Sequence, residues 1–246
     1  MGIDSATPEA SQAEVSGDAA FEIFARIAKK YELFNTVSSL GQHKRWLRRM
    51  IELCPIDEGT DLLDIAAGTG DVSFAAARMK RPAHIQITDL VPEMLEIARR
   101  HGEEGATCGV AVDFDIVDAQ EIPYPDNSYD VVSTAYGIRN MPDRMRALSE
   151  AFRVLKPGGS FVCLEFSTPT GPVLKALYRF YLKYMIPFWG GLITGDRKAF
   201  IYLRESILAF PDQESFAQML VSAGFEQVKW ANCSGGITAI HCGVKP

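Results

Sequence analysis

The sequence predicts an α/β fold: a doubly wound, mostly parallel sheet that ends in an antiparallel strand pair. Three observations predict it. Between residues 61 and 166, short apolar runs alternate with stretches of helical periodicity, and strands alternating with helices make a parallel sheet covered on both faces. The first run, Leu62-Leu63-Asp64-Ile65-Ala66-Ala67, enters a glycine turn, Gly68-Thr69-Gly70, and a helical stretch follows. The last two apolar runs, 225–231 and 237–244, have no helix between them and read as an antiparallel pair.

Residues 1–18 are small, polar and acidic. They are expected to form a disordered tail, with neither the basic start nor the apolar core of a signal peptide. Residues 19–246 read as one domain, with N-terminal helices over 19–54 and an insertion over 171–204. A helix is predicted over 21–34, where Phe21, Phe24, Ala25, Ala28 and Tyr31 fall on or near one face. A loop over 35–41 leads to a second helix over 42–54, stopped by Pro55. Then come a strand over 61–66, a helix over 71–79 and a strand over 83–88. Pro92 opens the next helix, to about 101, because proline is favoured in the first turn. A strand over 110–116, turn chemistry at 123–128 and a strand over 129–136 follow. The helix over 142–155 is stopped by Lys156-Pro157-Gly158-Gly159, which turns the chain into a strand over 160–166. The insertion breaks this rhythm. Leu174 to Ile186 is nearly all apolar or aromatic, apart from Lys175, Arg179 and Lys183, which recur every fourth residue as a basic stripe. Pro187-Phe188-Trp189-Gly190-Gly191 breaks that helix. Asp212 caps a helix over 213–223, and Gly224 ends it.

Composition narrows the function. A net charge of -6 disfavours a nucleic-acid partner. The five cysteines are scattered without a C-x-x-C pair, as in a cytoplasmic protein with reduced thiols. The four histidines show no zinc spacing, so no metal is expected. No apolar run is long enough to span a bilayer. One piece is basic inside this acidic chain: Arg26, Lys29, Lys30, Lys44, Arg45, Arg48 and Arg49 stand against Glu32.

The glycine turn lets backbone approach a ligand closely at Gly68 and Gly70. Asp64 is expected to point its carboxylate into the crevice at the strand ends. Asp89 ends the second strand about twenty residues further on, where an acid meets ribose hydroxyls. Together they point to a nucleotide-type cofactor. The dinucleotide pattern G-x-G-x-x-G is incomplete, since Gly70 runs into Asp71-Val72-Ser73. An acid at Asp71 would also repel a pyrophosphate at the helix N-terminus. S-adenosylmethionine has no phosphate, and its sulfonium and ammonium groups suit a lining of Asp64, Asp71 and Asp89.

Several stretches, in order, resemble the ubiquinone/menaquinone C-methyltransferases, a class I, Rossmann-like methyltransferase family. They are Lys30-Tyr31-Glu32-Leu33-Phe34-Asn35, Gly41-Gln42-His43-Lys44-Arg45-Trp46, the loop Asp64 to Asp71, and Gly137-Ile138-Arg139-Asn140. Arg153 to Gly159, Leu164-Glu165-Phe166-Ser167, Phe210-Pro211 and Gly236-Ile237-Thr238-Ala239-Ile240-His241 complete the set. The resemblance implies S-adenosylmethionine contacts at Thr69, Asp89, Asp118 and Ala119. Thr69 would donate from the loop, Asp89 would accept from the ribose diol, and Asp118 and Ala119 would meet the adenine edge. Two positions depart from the family pattern: Ala67 replaces a glycine, and Ala135 replaces a serine.

The implied reaction puts a methyl group on a ring carbon of a polyprenyl quinol: demethylmenaquinol, the benzoquinol precursor of ubiquinone, or both. A ring carbon is a weak nucleophile until the neighbouring phenol loses its proton. Arg139, after a strand end and facing the crevice mouth, is expected to hold the quinolate oxygen, with a salt bridge to a neighbouring helix as the alternative. A guanidinium stays protonated, so a water on Arg139, or His43, is the expected proton acceptor. Polyprenyl quinols live in the bilayer. The segment 173–189 suits a peripheral membrane contact or a channel for the tail, and a buried helix with snorkelling lysines is the alternative. A homo-oligomer stays open, as do a methyltransferase for another phenolic or lipid-like substrate and a non-catalytic nucleotide- or lipid-binding module.

Overall fold

The computed structural model describes residues 17–188 and 195–246. Most of the expected tail, 1–16, lies outside these residues. Gly17 and Asp18 already belong to the first helix, α1 (Gly17–Ile27). The single helix expected over 21–34 is two: after α1 a 3-10 turn, Ala28–Lys30, leads into α2 (Tyr31–Ser39). The expected loop over 35–41 is therefore mostly helical. Its serines do not compete with the helix, because both Ser38 Oγ and Ser39 Oγ donate to the Asn35 carbonyl within it. Gly41 then ends the helix with φ +76°, its N–H bonded to the Thr36 carbonyl. Helix α3 (His43–Leu53) follows, and its Trp46 Nε1 donates to Ser234 Oγ, pinning the N-terminal helices to the far end of the chain.

The alternating part is β1 (Asp61–Asp64), α4 (Asp71–Met79), β2 (His84–Asp89), α5 (Pro92–His101), β3 (Ala111–Ile116), β4 (Tyr129–Ala135), α6 (Arg144–Val154) and β5 (Leu155–Phe166). β5 starts five residues before the expected strand, because Leu155 pairs with Tyr129 ahead of a register shift. The insertion gives α7 (Pro172–Phe180), a π-helical turn Tyr181–Met185 and α8 (Arg197–Ala209), capped by Asp196. The expected breaker lies partly outside the described residues. After α9 (Gln213–Ser222), with Asp212 accepting from Ser215 N as its cap, come β6 (Glu226–Cys233) and β7 (Thr238–Val244).

The seven strands among the described residues form one sheet, ordered β3-β2-β1-β4-β5-β7-β6. β1 to β5 are parallel, while β7 runs antiparallel between β5 and β6. Each face has its own core. Leu62, Val131 and Val162 pack on one side, and Leu63, Val132 and Phe161 on the other, as period-two strands covered on both faces require. The strand order reverses at β1, so the crevice beyond the ends of β1 and β4 is where such a sheet binds a ligand.

Candidate active site

The chain leaves β1 on two ladder bonds, Ile65 N to Ser133 O and Ala67 N to Thr88 O, and then coils. The left-handed residues are Ala66 (φ +50°), Gly68 (+59°) and Gly70 (+84°). Ala67 is not among them, so the alanine that departs from the family pattern carries no conformational demand; the strained position is Ala66. At Gly70 a side chain is excluded twice over, by its φ and by the Phe74 ring 2.5 Å from where a Cβ would stand. The turn thus delivers the chain into α4 at Asp71.

Asp64 does not point into that crevice. Its carboxylate is fully buried under the loop, accepting from Ser73 Oγ at 2.6 Å and Ser133 Oγ at 2.8 Å. Burial pushes it up to about 7, against the pull of those hydrogen bonds. Asp71 lines a separate groove with Lys44, Arg48 and Arg78. Of the three acids expected to line the cofactor site, Asp89 alone lines the cleft beyond the strand ends.

The cleft itself measures about 560 Å³. It gathers Gly68, Asp89, Asp118 and Ala119, as expected, with Leu90, Val91, Met94, Val117 and Met141 as apolar walls. Ala20, Phe21 and Phe24 of α1 close one side. Thr69 and Gly70 do not line it: Thr69 is buried with its hydroxyl unpartnered among the described residues, and its carbonyl meets His101 Nδ1 at 3.3 Å. Asp89 Oδ2 accepts from Gly68 N at 2.7 Å and Oδ1 from Val91 N at 2.8 Å. Each oxygen keeps a second lone pair, which suits a vicinal diol. Burial raises the Asp89 carboxyl, and its backbone hydrogen bonds oppose the rise. Asp118 accepts from Gln120 N at 2.8 Å, and Gln120 Oε1 accepts from Asp143 N. Among the described residues the lining holds no lysine or arginine. An apolar slot with acids at its edges and no phosphate-binding cation fits S-adenosylmethionine.

The two expected catalytic residues meet behind this cleft. The loop after β4 turns at Tyr136 (φ +59°) and Gly137, where a Cβ would lie 2.6 Å from that of Ala66. Only glycine lets the two crevice loops touch there. Arg139 follows in a 3-10 turn and does not face the crevice mouth. It is buried, and the salt bridge it makes is to a strand, not a helix: Nη1 donates to Glu165 Oε1 of β5 at 2.9 Å and to the Tyr136 carbonyl. Its guanidinium stands over the Tyr136 and Phe166 rings, 6.0 and 5.5 Å from their centroids. A small chamber of about 10 Å³, room for one water, is lined by Arg139, His43, Ser39, Tyr136, Phe166 and Leu203 among others. Tyr136 belongs to both chamber and cleft.

The tautomer of His43 follows from its neighbour. Ser39 Oγ spends its proton on the Asn35 carbonyl at 2.7 Å, so it accepts from His43 Nδ1 at 3.1 Å and from His43 N at 3.2 Å. His43 therefore carries its proton on Nδ1, and Nε2 is the proton-accepting atom. Glu165 was missed by the sequence reading. Its signal was present: an acid inside the apolar run Phe161 to Phe166 must find a partner when buried. Tyr202 was also missed; its hydroxyl donates to Asn140 Oδ1 at 2.9 Å. Among the described residues no three His, Cys, Asp or Glu side chains gather as a metal would need.

With this geometry in place, the chain can be set beside known proteins. The ubiE/COQ5 methyltransferase family matches over residues 12–245. The ubiquinone/menaquinone biosynthesis C-methyltransferase UbiE of Ectopseudomonas mendocina is 42% identical over 240 residues, 97% of this chain and 92% of that one. The protein of the same name from Brucella canis is 43% identical over 229 residues, 91% of this chain and 84% of that one. Among solved structures, a SAM-dependent methyltransferase of Thermotoga maritima covers 92% of this chain and 100% of its own at TM-score 0.65 and 21% identity. Phosphoethanolamine N-methyltransferase 2 of Haemonchus contortus, solved with S-adenosyl-L-methionine, covers 96% and 58% at TM-score 0.62 and 18% identity. These two share the fold.

Proposed function

The chain belongs to the ubiE/COQ5 methyltransferase family, and from that premise we propose that it methylates a reduced polyprenyl quinol whose ring is activated in the Arg139 chamber. It is an S-adenosylmethionine-dependent C-methyltransferase of quinone precursors. The observation that carries the proposal is the meeting of His43 and Arg139, distant in sequence, in one chamber that shares Tyr136 with the cofactor cleft.

S-adenosylmethionine supplies an electrophilic methyl carbon on a sulfur that leaves neutral. Asp89 holds the ribose diol, Asp118 and Ala119 meet the adenine, and the backbone around Gly68 gives close approach. His43 Nε2 takes the phenol proton. Arg139 then faces the quinolate oxygen while its charge spreads to the ring carbon, the atom that forms the new bond. The ring hydrogen at that carbon leaves as a proton to water when aromaticity returns, and His43 gives its proton back to the ring oxygen, so that one proton is released overall. Arg139 cannot itself be the base; its place is electrostatic.

The tail of such a substrate brings the enzyme to a bilayer. No helix among the described residues is long and apolar enough to cross one. A peripheral contact through α7 and the π-turn after it is supported by their exposed Val173, Leu177, Phe180 and Tyr184, with Arg179 and Lys183 exposed beside them.

The test is methyl transfer from labelled cofactor to short-tailed demethylmenaquinol and to the ubiquinol precursor, each reduced and oxidised. Only the reduced rings should be labelled. Equal rates on the oxidised quinones would end the quinolate mechanism.

A further inference from the structure

Helix α2 ends on two consecutive buried serines, and both hydroxyls donate to one carbonyl, that of Asn35. Ser38 Oγ makes the longer of these bonds, at 3.2 Å, and among the described residues it bonds nothing else. Ser39 does more. Its Oγ reaches Asn35 O at 2.7 Å, and it also stands 3.1 Å from His43 Nδ1 and 3.2 Å from His43 N. A hydroxyl has one proton and two lone pairs, so these three contacts use all that Ser39 Oγ can offer. Their direction is set from one end. A carbonyl can only accept, so the Ser39 proton lies towards Asn35 and its lone pairs face His43. His43 is the first residue of α3, and the side chain of its N-cap, Gln42, makes no capping bond. One oxygen therefore holds both the backbone and the ring of His43.

We propose that Ser39 is the positioning residue of the methyl-transfer base: it passes the fixed accepting character of the Asn35 carbonyl to His43, keeping the proton on Nδ1 and leaving Nε2 to take one from the quinol. The inference rests on the reading of His43 given above. Ser39 and His43 line the same chamber as Arg139. Which ring nitrogen of a histidine carries the proton is decided by what the other one bonds. Without the Ser39 oxygen, Nδ1 loses its acceptor, and the tautomer with Nε2–H, which cannot take a proton there, becomes populated. The orienting group is a neutral hydroxyl, not a carboxylate. It fixes the ring without adding a negative charge to hold an imidazolium, so His43 returns its proton to the ring oxygen as readily as it takes it. That suits a base that must end each turnover neutral.

The hydroxyl can be removed with a matched control. Ser39→Ala deletes the bond to the His43 ring, whereas Ser38→Ala deletes a bond to the same carbonyl and leaves that ring untouched. In the full chain carrying isotope-labelled histidine, nitrogen NMR of the parent should show His43 protonated on Nδ1 and bare on Nε2. Ser39→Ala should shift the ring towards the Nε2–H tautomer, and Ser38→Ala should leave it as in the parent. On a reduced short-tailed quinol, kcat of Ser39→Ala should fall by about 10- to 100-fold, with KM and the affinity for S-adenosylmethionine little changed. A parent with its His43 proton on Nε2 overturns the inference before any variant is made. So does a Ser39→Ala protein at the parent's kcat, or one that loses melting temperature and rate while the tautomer stays put, since the hydroxyl would then only join the two helices. His43→Gln at the parent's rate overturns the reading of His43 as base and this inference with it, whereas an impaired His43→Gln beside a fully active Ser39→Ala overturns this inference alone.

Discussion

Arg139 and Glu165 are almost wholly withdrawn from water, and each is the other's charge partner. Breaking such a pair leaves one charge buried alone, which costs about 3–5 kcal/mol, whereas replacing both by apolar side chains of similar size is often neutral. Arg139→Ala should therefore lose stability and activity together and cannot by itself assign a role. Arg139→Met combined with Glu165→Leu separates the two. Urea melts should show much of the stability recovered, while methyl transfer stays lost if the guanidinium faces the quinolate. Recovery of the rate as well would reduce Arg139 to a strut. Arg139→Lys is not a mild change here, because an ammonium cannot lie flat over the Tyr136 and Phe166 rings.

At the scale of the element, α7 and its π-turn decide how the protein meets lipid. Val173, Leu177, Phe180, Tyr184 and Phe188 are exposed in succession, while Tyr178, Leu182 and Ile186 turn inward. Tyr181 is half-buried against the core, and burial pushes its phenol up to about 12. The basic residues flank the apolar stripe, with Lys183 Nζ 5.2 Å from the Tyr184 ring centroid. Arg26, from the basic N-terminal piece, is held by Asp196 at 2.5 Å. Each basic residue near an anionic leaflet contributes about 1 kcal/mol. Changing Lys175, Arg179 and Lys183 to Glu should abolish sedimentation with anionic vesicles and leave the rate on a short-tailed quinol intact. Unchanged sedimentation would move the contact elsewhere.

Elements with their own signals were legible in the sequence. Pro92 opens α5, Asp212 caps α9, and the sheet announced itself through apolar alternation. Asp89 could be placed at the cleft because it ends β2, while Asp118 and Ala119, which also line it, came only through the family resemblance. What was not legible depends on partners from elsewhere in the chain. The burial of Asp64 needs Ser73 from α4 and Ser133 from β4. The fate of Arg139 needs Glu165, twenty-six residues away. The true end of α2 needs two serines bonding back to Asn35, a choice that local propensity leaves even.

For the whole molecule, two of the buried groups shift stability with pH in opposite senses. His241 donates from Nε2 to the Gln213 carbonyl at 2.9 Å, and burial pushes it down to about 4 from its ordinary 6.5. It is neutral in the fold, so its contribution is full above 6.5 and is lost as pH falls towards 4. Asp64 works in the opposite direction. Its folded value near 7 lies above its ordinary 3.8, so its burial costs nothing in acid and progressively more as pH rises through that window. Asp64→Asn should therefore stabilise the protein more at about pH 8 than at roughly pH 5 in denaturant titrations, the scale being about 1.4 kcal/mol per pKa unit. An equal gain at both would mean that Asp64 is not what titrates.

The N-terminal helix has a consequence of a different kind. Ala20, Phe21 and Phe24 line the cleft from α1, while Phe24 and Ala25 also pack against Val91 and Met94. Whatever fills the cleft becomes part of the surface on which α1 rests. Occupancy and docking of the helix then share one coupling free energy, and linkage makes that coupling symmetric. If the methyl donor fills this cleft, its binding and the docking of the amino-terminal helix should shift one another by the same factor, read as the donor affinity of the full chain against that of a Phe21→Ala/Phe24→Ala variant.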